Sequence, residues 1–375
     1  MVYFDNAATG YFKPRAVLDA VLAVINNLSV NPGRSGHRLS VSGAKIVSDT
    51  RLVLAQLFDA SSDRVVFTKN CTEALNTAIF GSVKKGGHVI TTTFEHNSVL
   101  RPLFFLKEQG IIQLDIAVPN KNESLVQSIE RLIKPNTYMI AVTATSNVTG
   151  QSFPLKEIGR LAKQNDILFL VDGAQGGGHQ PISIRDMNVS FLALAGHKGL
   201  YGIMGSGALI LADDARLSPL TMGGTGSESL SLFQPEYYPE RLESGTLSLP
   251  AIASLLEGAK YVQAHQEHFA FHLQKSTELM INGLKNIERI KTYSSPNSSG
   301  IVSFEMTGLD SNALADKLSD EFDIAVRGGF HCAPLTHEFY KTKDRGLVRA
   351  SLAVQNVSRE IDYFLSAVEK IAKSN

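Results

Sequence analysis

Asp172 and Lys198 are the two residues whose types and spacing say most about chemistry in this chain. They stand in ILFLVDGAQ (167–175) and LALAGHKGLYG (192–202), 26 residues apart. Each follows an apolar run of strand length, so each charged group is predicted to emerge where a buried strand ends. A salt bridge is the ordinary account of such a pair. An acid and a lysine delivered to one edge of a core also suit pyridoxal phosphate (PLP). The amine forms the Schiff base, and the carboxylate keeps the pyridine nitrogen protonated so that the ring accepts electrons.

RGGFHCAP (327–334) is the second informative stretch. An ordinary thiol of pKa ~8.5 is only about 3% thiolate at pH 7. Arg327 and His331 beside Cys332 favour the anion, and the flanking glycines and Ala-Pro predict an irregular, partly exposed loop. The commoner fate of a cysteine is that of a buried small hydrophobe, and Cys71, at a helix start, fits that description. Arg349, inside the apolar run of GLVRASL, needs an anionic partner. A protein carboxylate meets that need, and so does a bidentate substrate carboxylate.

Other candidates fall at the ends of strand-like runs. TKNCTEALNTAI (68–79) follows VVFT and opens a helix. Asn70, Cys71 and Thr72 then sit where free amides and the helix dipole favour a phosphate, which is compatible with plain capping by Thr72. His96 of EHNSVL is a ring-stacking or acid–base candidate, against the ordinary structural or surface histidine. Asn147 of SNVTG ends another run, where a turn role is the ordinary reading. Gln175, three residues after Asp172, reaches the same face.

The elements that must position these residues alternate between about 50 and 210. VVFT (65–68), HVITTT (88–93), YMIAVTA (138–144), ILFLVD (167–172), FLALA (191–195) and GALILA (207–212) read as strands. Several are apolar throughout, as when both faces are covered. PLKEIGRLAKQND (154–166) carries an amphipathic helical stripe. The alternation predicts an α/β fold with a mainly parallel sheet. Residues 213–250 read as long functional loops. Beyond 251, helices surround IVSFEM (301–306), IAVRGG (324–329) and LVRASL (347–352), a smaller α+β domain.

Composition closes off other classes. With 375 residues, 36 basic and 36 acidic side chains, the chain is an ordinary globular protein with no basic excess to neutralise nucleic-acid phosphates. The N-terminus lacks the pattern of a secretory signal, no run reaches the ~18 apolar residues of a membrane span, and two cysteines cannot build a disulfide framework. A cytoplasmic, reducing location is expected. GIMGSGALIL (202–211) leads into a strand and not a helix, so it is no dinucleotide fingerprint. No P-loop, HExxH or paired CxxC occurs, and no metal is expected.

Assembled, these segments resemble the class V aminotransferase-type, fold-type I PLP enzymes, and within them the cysteine desulfurase and selenocysteine lyase family. The resemblance runs from YFDNAATG (3–10) and NPGRSGHRLS (31–40) to EIDYFLSAV (360–368), with EHNS, VDGAQ, GHK and RGGFHCAP its specific motifs. It implies a large PLP-binding domain over 13–250, built on a mainly parallel seven-stranded-type sheet. A small domain from 1–12 and 251–375 would carry the Cys332 loop and Arg349. It makes Lys198 the Schiff-base lysine, Asp172 the pyridinium partner, Gln175 the contact to the phenolic oxygen and His96 the stacked ring. Lys198, Cys332 and His96 form the implied catalytic set. Cys71, Thr72 and His197 fall at phosphate-binding positions, with Thr246 of ESGT reaching over from the other subunit of a homodimer.

Asn147 and Arg349, joined by Arg327 and His37, are the implied substrate binders, and Cys332 the nucleophile that takes the sulfur. The RxGxHCA context is similar to the selenocysteine lyase-like branch. The implied reaction converts L-cysteine to L-alanine with a persulfide on Cys332, or releases selenium from L-selenocysteine, with a protein as the eventual sulfur acceptor. A class V aminotransferase, another PLP-dependent lyase or racemase indifferent to Cys332, and a non-catalytic sulfur-transfer scaffold are the alternatives. Three departures stand out: Ala195 where the pattern has Ser or Thr, no proline after Tyr201-Gly202, and Phe330 where a histidine often precedes His331.

Overall fold

The computed structural model describes residues 1–374. Strand β1 (Val2–Tyr3) leads to helices α1 (Arg15–Asn27) and α2 (Arg38–Phe58). Alternation follows: β2 (Val65–Thr68), α3 (Cys71–Gly81), β3 (His88–Thr92), α4 (Asn97–Glu108), β4 (Gln113–Ala117), α5 (Leu125–Glu130), β5 (Thr137–Thr143), α6 (Leu155–Gln164) and β6 (Leu168–Asp172). Strands β7 (Phe191–Ala195) and β8 (Gly207–Leu211) precede a long helix, α7 (Leu249–Lys285). The rest comprises β9 (Ile290–Thr292), β10 (Ile301–Met306), α8 (Ser311–Phe322), β11 (Ile324–Ala325), α9 (Pro334–Phe339), β12 (Val348–Ser351) and α10 (Ser358–Ser374).

A seven-stranded sheet in the order β2-β8-β7-β6-β5-β3-β4 forms the centre. Its pairs from β4 to β7 are parallel, and β8 runs antiparallel to β7 and β2. The apolar strands explain its burial. Ile140, Val142, Phe169, Val171, Leu192 and Leu194 enter one core cluster, while Met139, Ala141, Leu170, Phe191 and Ala193 enter another. Alternate residues thus fill opposite faces, both covered by helices. A smaller antiparallel sheet, β12-β10-β9, backs a separate cluster with α8 and α10.

The six strand readings between 65 and 212 hold to within a residue or two at their ends. β4 forms no continuous apolar run because it is an edge strand carrying Gln113 and Asp115. IAVRGG keeps only Ile324–Ala325 as a strand, followed by an isolated antiparallel bridge from Arg327 to Arg349 before the Cys332 loop. Helix α7 serves both cores: Ile252, Leu255, Ala259 and Val262 pack beneath the large sheet, and Leu273, Met280, Ile281 and Leu284 pack in the smaller cluster. Among the described residues, no helix is long and apolar enough to cross a membrane.

One buried ion pair anchors the loop-rich 213–248 stretch. Glu243 takes both Nη atoms of Arg51, at 2.9 and 2.6 Å, and the Phe67 amide at 2.6 Å. Burial pushes the Glu243 carboxyl up and the Arg51 charge pulls it back. The guanidinium also lies 4.5 Å from the Phe67 ring centre. Removing one partner leaves a charge uncompensated in the interior. Glu243→Ala is therefore expected to lower the unfolding free energy in urea by about 3–5 kcal/mol. The Arg51→Met/Glu243→Leu double variant is expected to lose far less.

Candidate active site

The carboxyl ends of the parallel strands all open on one side of the sheet, where α/β folds place their ligands. Asn70, Cys71 and Thr72 follow β2, and Glu95 and His96 follow β3. Asn147 follows β5, Asp172 closes β6, and His197 and Lys198 follow β7. Thr143, Asp172 and Ala193 are register neighbours, so the last turn of sheet sets the spacing of the groups above it. A cavity of about 100 Å³ results, lined by Cys71, Thr72, His96, Asn147, Asp172, Gln175, His197 and Lys198. Eight residues singled out in the sequence thus share one wall.

Asp172 is 3% exposed. Its Oδ1 accepts from the Ala174 amide at 2.9 Å and from Cys71 Sγ at 3.4 Å. Among the described residues, Oδ2 receives no protein donor. Lys198 loses proton affinity chiefly through burial and next through the Arg349 charge. Glycines bring its loop close: a Cβ on Gly178 would overlap the Gly199 carbonyl, and φ there is +92°.

His96 caps α4, its Nδ1 accepting from the Ser98 amide at 3.1 Å. Its imidazole is held below the usual range by burial first, with Asp172 opposing. His197 pairs with Thr9 Oγ1 at 3.0 Å, and burial and then Lys198 lower it to about 4. Both rings are neutral at pH 7. Gln175 donates to the Ala7 carbonyl at 2.9 Å, which draws the N-terminal segment over the site.

The chain's other thiol lies in a loop bonded to Asn97 and to the cavity residue Asn147. His331 and Cys332 take consecutive left-handed conformations, φ 48° and 57°. Asn97 N donates to the Cys332 carbonyl at 2.8 Å, and Asn147 Nδ2 to the His331 carbonyl at 2.7 Å. Arg327 Nη2 stands 3.9 Å from Cys332 Sγ. Arg349 pairs back to back with Arg327 and is 1% exposed. Its Nη1 donates to the Asn147 carbonyl and its Nη2 to Asp5 Oδ1, each at 3.0 Å, while Nε has no partner.

Two residues of the implied site lie outside this chain's own cavity, Thr246 being the one expected from the partner subunit. His37 is an exposed cap of α2, its Nδ1 accepting from the Ser40 amide, and it lies off the cavity. Thr246 is exposed and lines a different cavity, beside Lys69 and Met222. Asn147's amide is engaged by the Cys332 loop, and Arg349, bonded to the Asn147 carbonyl, is not among the residues lining the cavity. Cys71 turns its thiol to Asp172, which leaves only its backbone amide for a phosphate.

Three residues had gone unread. Ser98 lines the cavity and joins Thr72 Oγ1 at 2.8 Å and His96 Nδ1 at 2.9 Å. It places a hydroxyl on the wall where Ala195 has none. Asp5 is the acid that pairs Arg349, and YFDNAATG contained it. Glu95, fully buried next to His96, is the third.

The donor set fits PLP: a lysine whose proton affinity burial lowers, a carboxylate oxygen still lacking a donor, and an eleven-residue helix whose first amides have no partner within the helix. Among the described residues, no cluster of metal-ligand type occurs. The aminotransferase class-V family model matches residues 2–364. A probable cysteine desulfurase of Methanothermobacter thermautotrophicus is 33% identical, covering 99% of this chain and 94% of its own length. One from Pyrococcus abyssi is 32% identical over 100% of this chain and 95% of its own. The apo structure of cysteine desulfurase from Thermococcus onnurineus NA1 superposes with a TM-score of 0.92 at 30% identity, covering 100% of this chain and 95% of that one.

Glu95 gives a test of these electrostatics. Its Oε1 accepts from Thr92 Oγ1 at 2.6 Å and the Thr143 amide at 3.1 Å, and Oε2 has no partner. Burial raises its carboxyl from 4.5 to about 8, with the two donors opposing and Asp172 adding to the rise. A raised carboxyl stabilises the fold below its unfolded value, and that contribution drains away as pH climbs through the folded one. From about pH 5 to about pH 9, the melting temperature of Glu95→Gln is expected to gain on the parent by at least about 2 °C. A constant gap across that range would contradict the assignment.

Proposed function

The chain belongs to the class-V aminotransferase family, and we propose that it is a PLP-dependent cysteine desulfurase. One observation carries the reading: the loop bearing Cys332 is hydrogen-bonded to Asn97 and Asn147, which flank the cavity of Lys198 and Asp172. A thiol is thereby fixed beside a lysine–carboxylate site, an arrangement that transamination does not need.

When bound, PLP supplies an electron sink for the Cα of an amino acid. Lys198 would hold the group covalently and would carry the Cα proton, a task suited to an amine whose proton affinity burial has lowered. Asp172, through Oδ2, would hold the ring nitrogen and Gln175 the phenolic oxygen. His96 would stack on the ring, and the Cys71 and Thr72 amides, the Thr72 and Ser98 hydroxyls and His197 would receive the phosphate. Arg349, with Arg327 and Asn147, would take the substrate carboxylate, for which Arg349 and Asn147 exchange one of their present partners.

Cys332 Sγ then attacks the substrate sulfur. The S–S bond forms, the substrate Cβ–S bond breaks, and the three-carbon product leaves as alanine after taking up a proton. Arg327 Nη2, 3.9 Å from Sγ, places a cation beside the attacking sulfur. L-selenocysteine undergoes the same cleavage at selenium, and a protein acceptor in the cytoplasm removes the persulfide. A homodimer completes the site with Thr246 and His37 from the partner, and it covers the exposed Leu230, Leu232 and Phe233.

Two substitutions separate this reading from its rivals. With L-cysteine as substrate, Cys332→Ala is expected to cut alanine formation by about 10³-fold or more while the bound cofactor's absorbance stays unchanged. Lys198→Ala is expected to lose both. Undiminished turnover in Cys332→Ala would assign the site to transamination or another lyase reaction.

A further inference from the structure

We propose that Cys71 is a positioning residue for the cofactor: its thiol is the second donor to Asp172 Oδ1 and so sets how much negative charge Oδ2 presents to the ring nitrogen. The inference rests on the PLP reading above and concerns a residue that reading used only through its backbone.

The placement follows from the fold. Asp172 lies on the sheet face shared with Leu170, and α3 covers that face through Cys71, Ala74 and Leu75. As the first residue of α3, Cys71 projects its side chain under the cavity floor and not out toward solvent. Sγ stands 3.4 Å from Oδ1, which also accepts the Ala174 amide at 2.9 Å. Two donors on one oxygen fix the carboxylate's rotation and leave the other oxygen for the ligand.

The thiol donates and does not act as a nucleophile. Burial, and then the Asp172 charge, push its proton affinity well above the ordinary value, so it stays S–H at neutral pH. Its two possible roles are thus separated from those of Cys332, which is half-exposed beside Arg327. A thiol is a weak donor, so the effect is expected at the modest end of hydrogen-bond strengths.

The test loads PLP onto the full chain carrying Cys71→Ala, Cys71→Val or Cys71→Ser. Equilibrium dialysis gives the PLP dissociation constant, and absorbance across pH gives the titration midpoint of the bound cofactor. Removing the donor returns charge to the carboxylate and favours the protonated, cationic lysine–cofactor linkage. With one donor gone, the carboxylate's rotation is no longer fixed, and Cys71→Ala and Cys71→Val are expected to raise the dissociation constant about twofold to tenfold. They are also expected to move the midpoint upward by about half a pH unit. Cys71→Ser, which keeps a donor, is expected to match the parent in both.

Val stands in should Ala fail to fold. Loaded donorless variants with parental constant and midpoint overturn the proposal, as does a Ser variant displaced as far as Ala. A parent chain that takes up no PLP sinks the functional reading itself, and this inference with it.

Discussion

The constraint from which the site follows is a carboxylate buried at the end of a parallel strand. An acid placed where Asp172 is, with apolar residues before it and sheet neighbours on both sides, costs several kcal/mol unless donors and a cation compensate. The Ala174 amide, the Cys71 thiol and the nearby Lys198 do so. Glu95, close by and equally enclosed, meets the same problem differently and keeps its proton. Burial is the chief cause of the raised Glu95 carboxyl, and the Asp172 charge in the same buried layer adds to it.

Around that layer the loops share their duties. The residue that caps α4, His96, is also a wall of the cavity, and its neighbour Asn97 holds the Cys332 carbonyl. Asn147 reaches from the end of β5 to the carbonyl before Cys332, while its own carbonyl takes Arg349. Consecutive left-handed residues at His331 and Cys332 cost roughly 1–3 kcal/mol each. These cross-links between distant segments hold that conformation. A thiol carried this way has a fixed address, which suits attack on one particular substrate atom.

Much of this was legible in the chain. Buried parallel strands announce themselves as apolar runs, so six strands of the large sheet and the acid and lysine at their ends could be read directly. What went unread follows from the same logic. β4 is half-polar because one of its edges faces solvent, and α7 changes partner midway, so it shows no single stripe. Ser98 and Asp5 are small polar residues in motifs already quoted, and nothing local marks them as partners of Thr72 and Arg349. His37 and Thr246 carry the family's signature yet stay outside the cavity of this single chain.

The sequence by itself determined the fold class, the lysine–acid pair and the presence of a thiol in a glycine-flanked loop, because hydrophobic period and residue type are local properties. Only the tertiary structure decided which oxygen of Asp172 is spoken for, that Arg349 answers to Asp5, and that Cys71 points at a carboxylate. Those facts depend on which strands lie side by side and on which residues in separate segments come within hydrogen-bond range. Such distances are set by packing across a hundred residues or more of chain, and no spacing along the sequence encodes them.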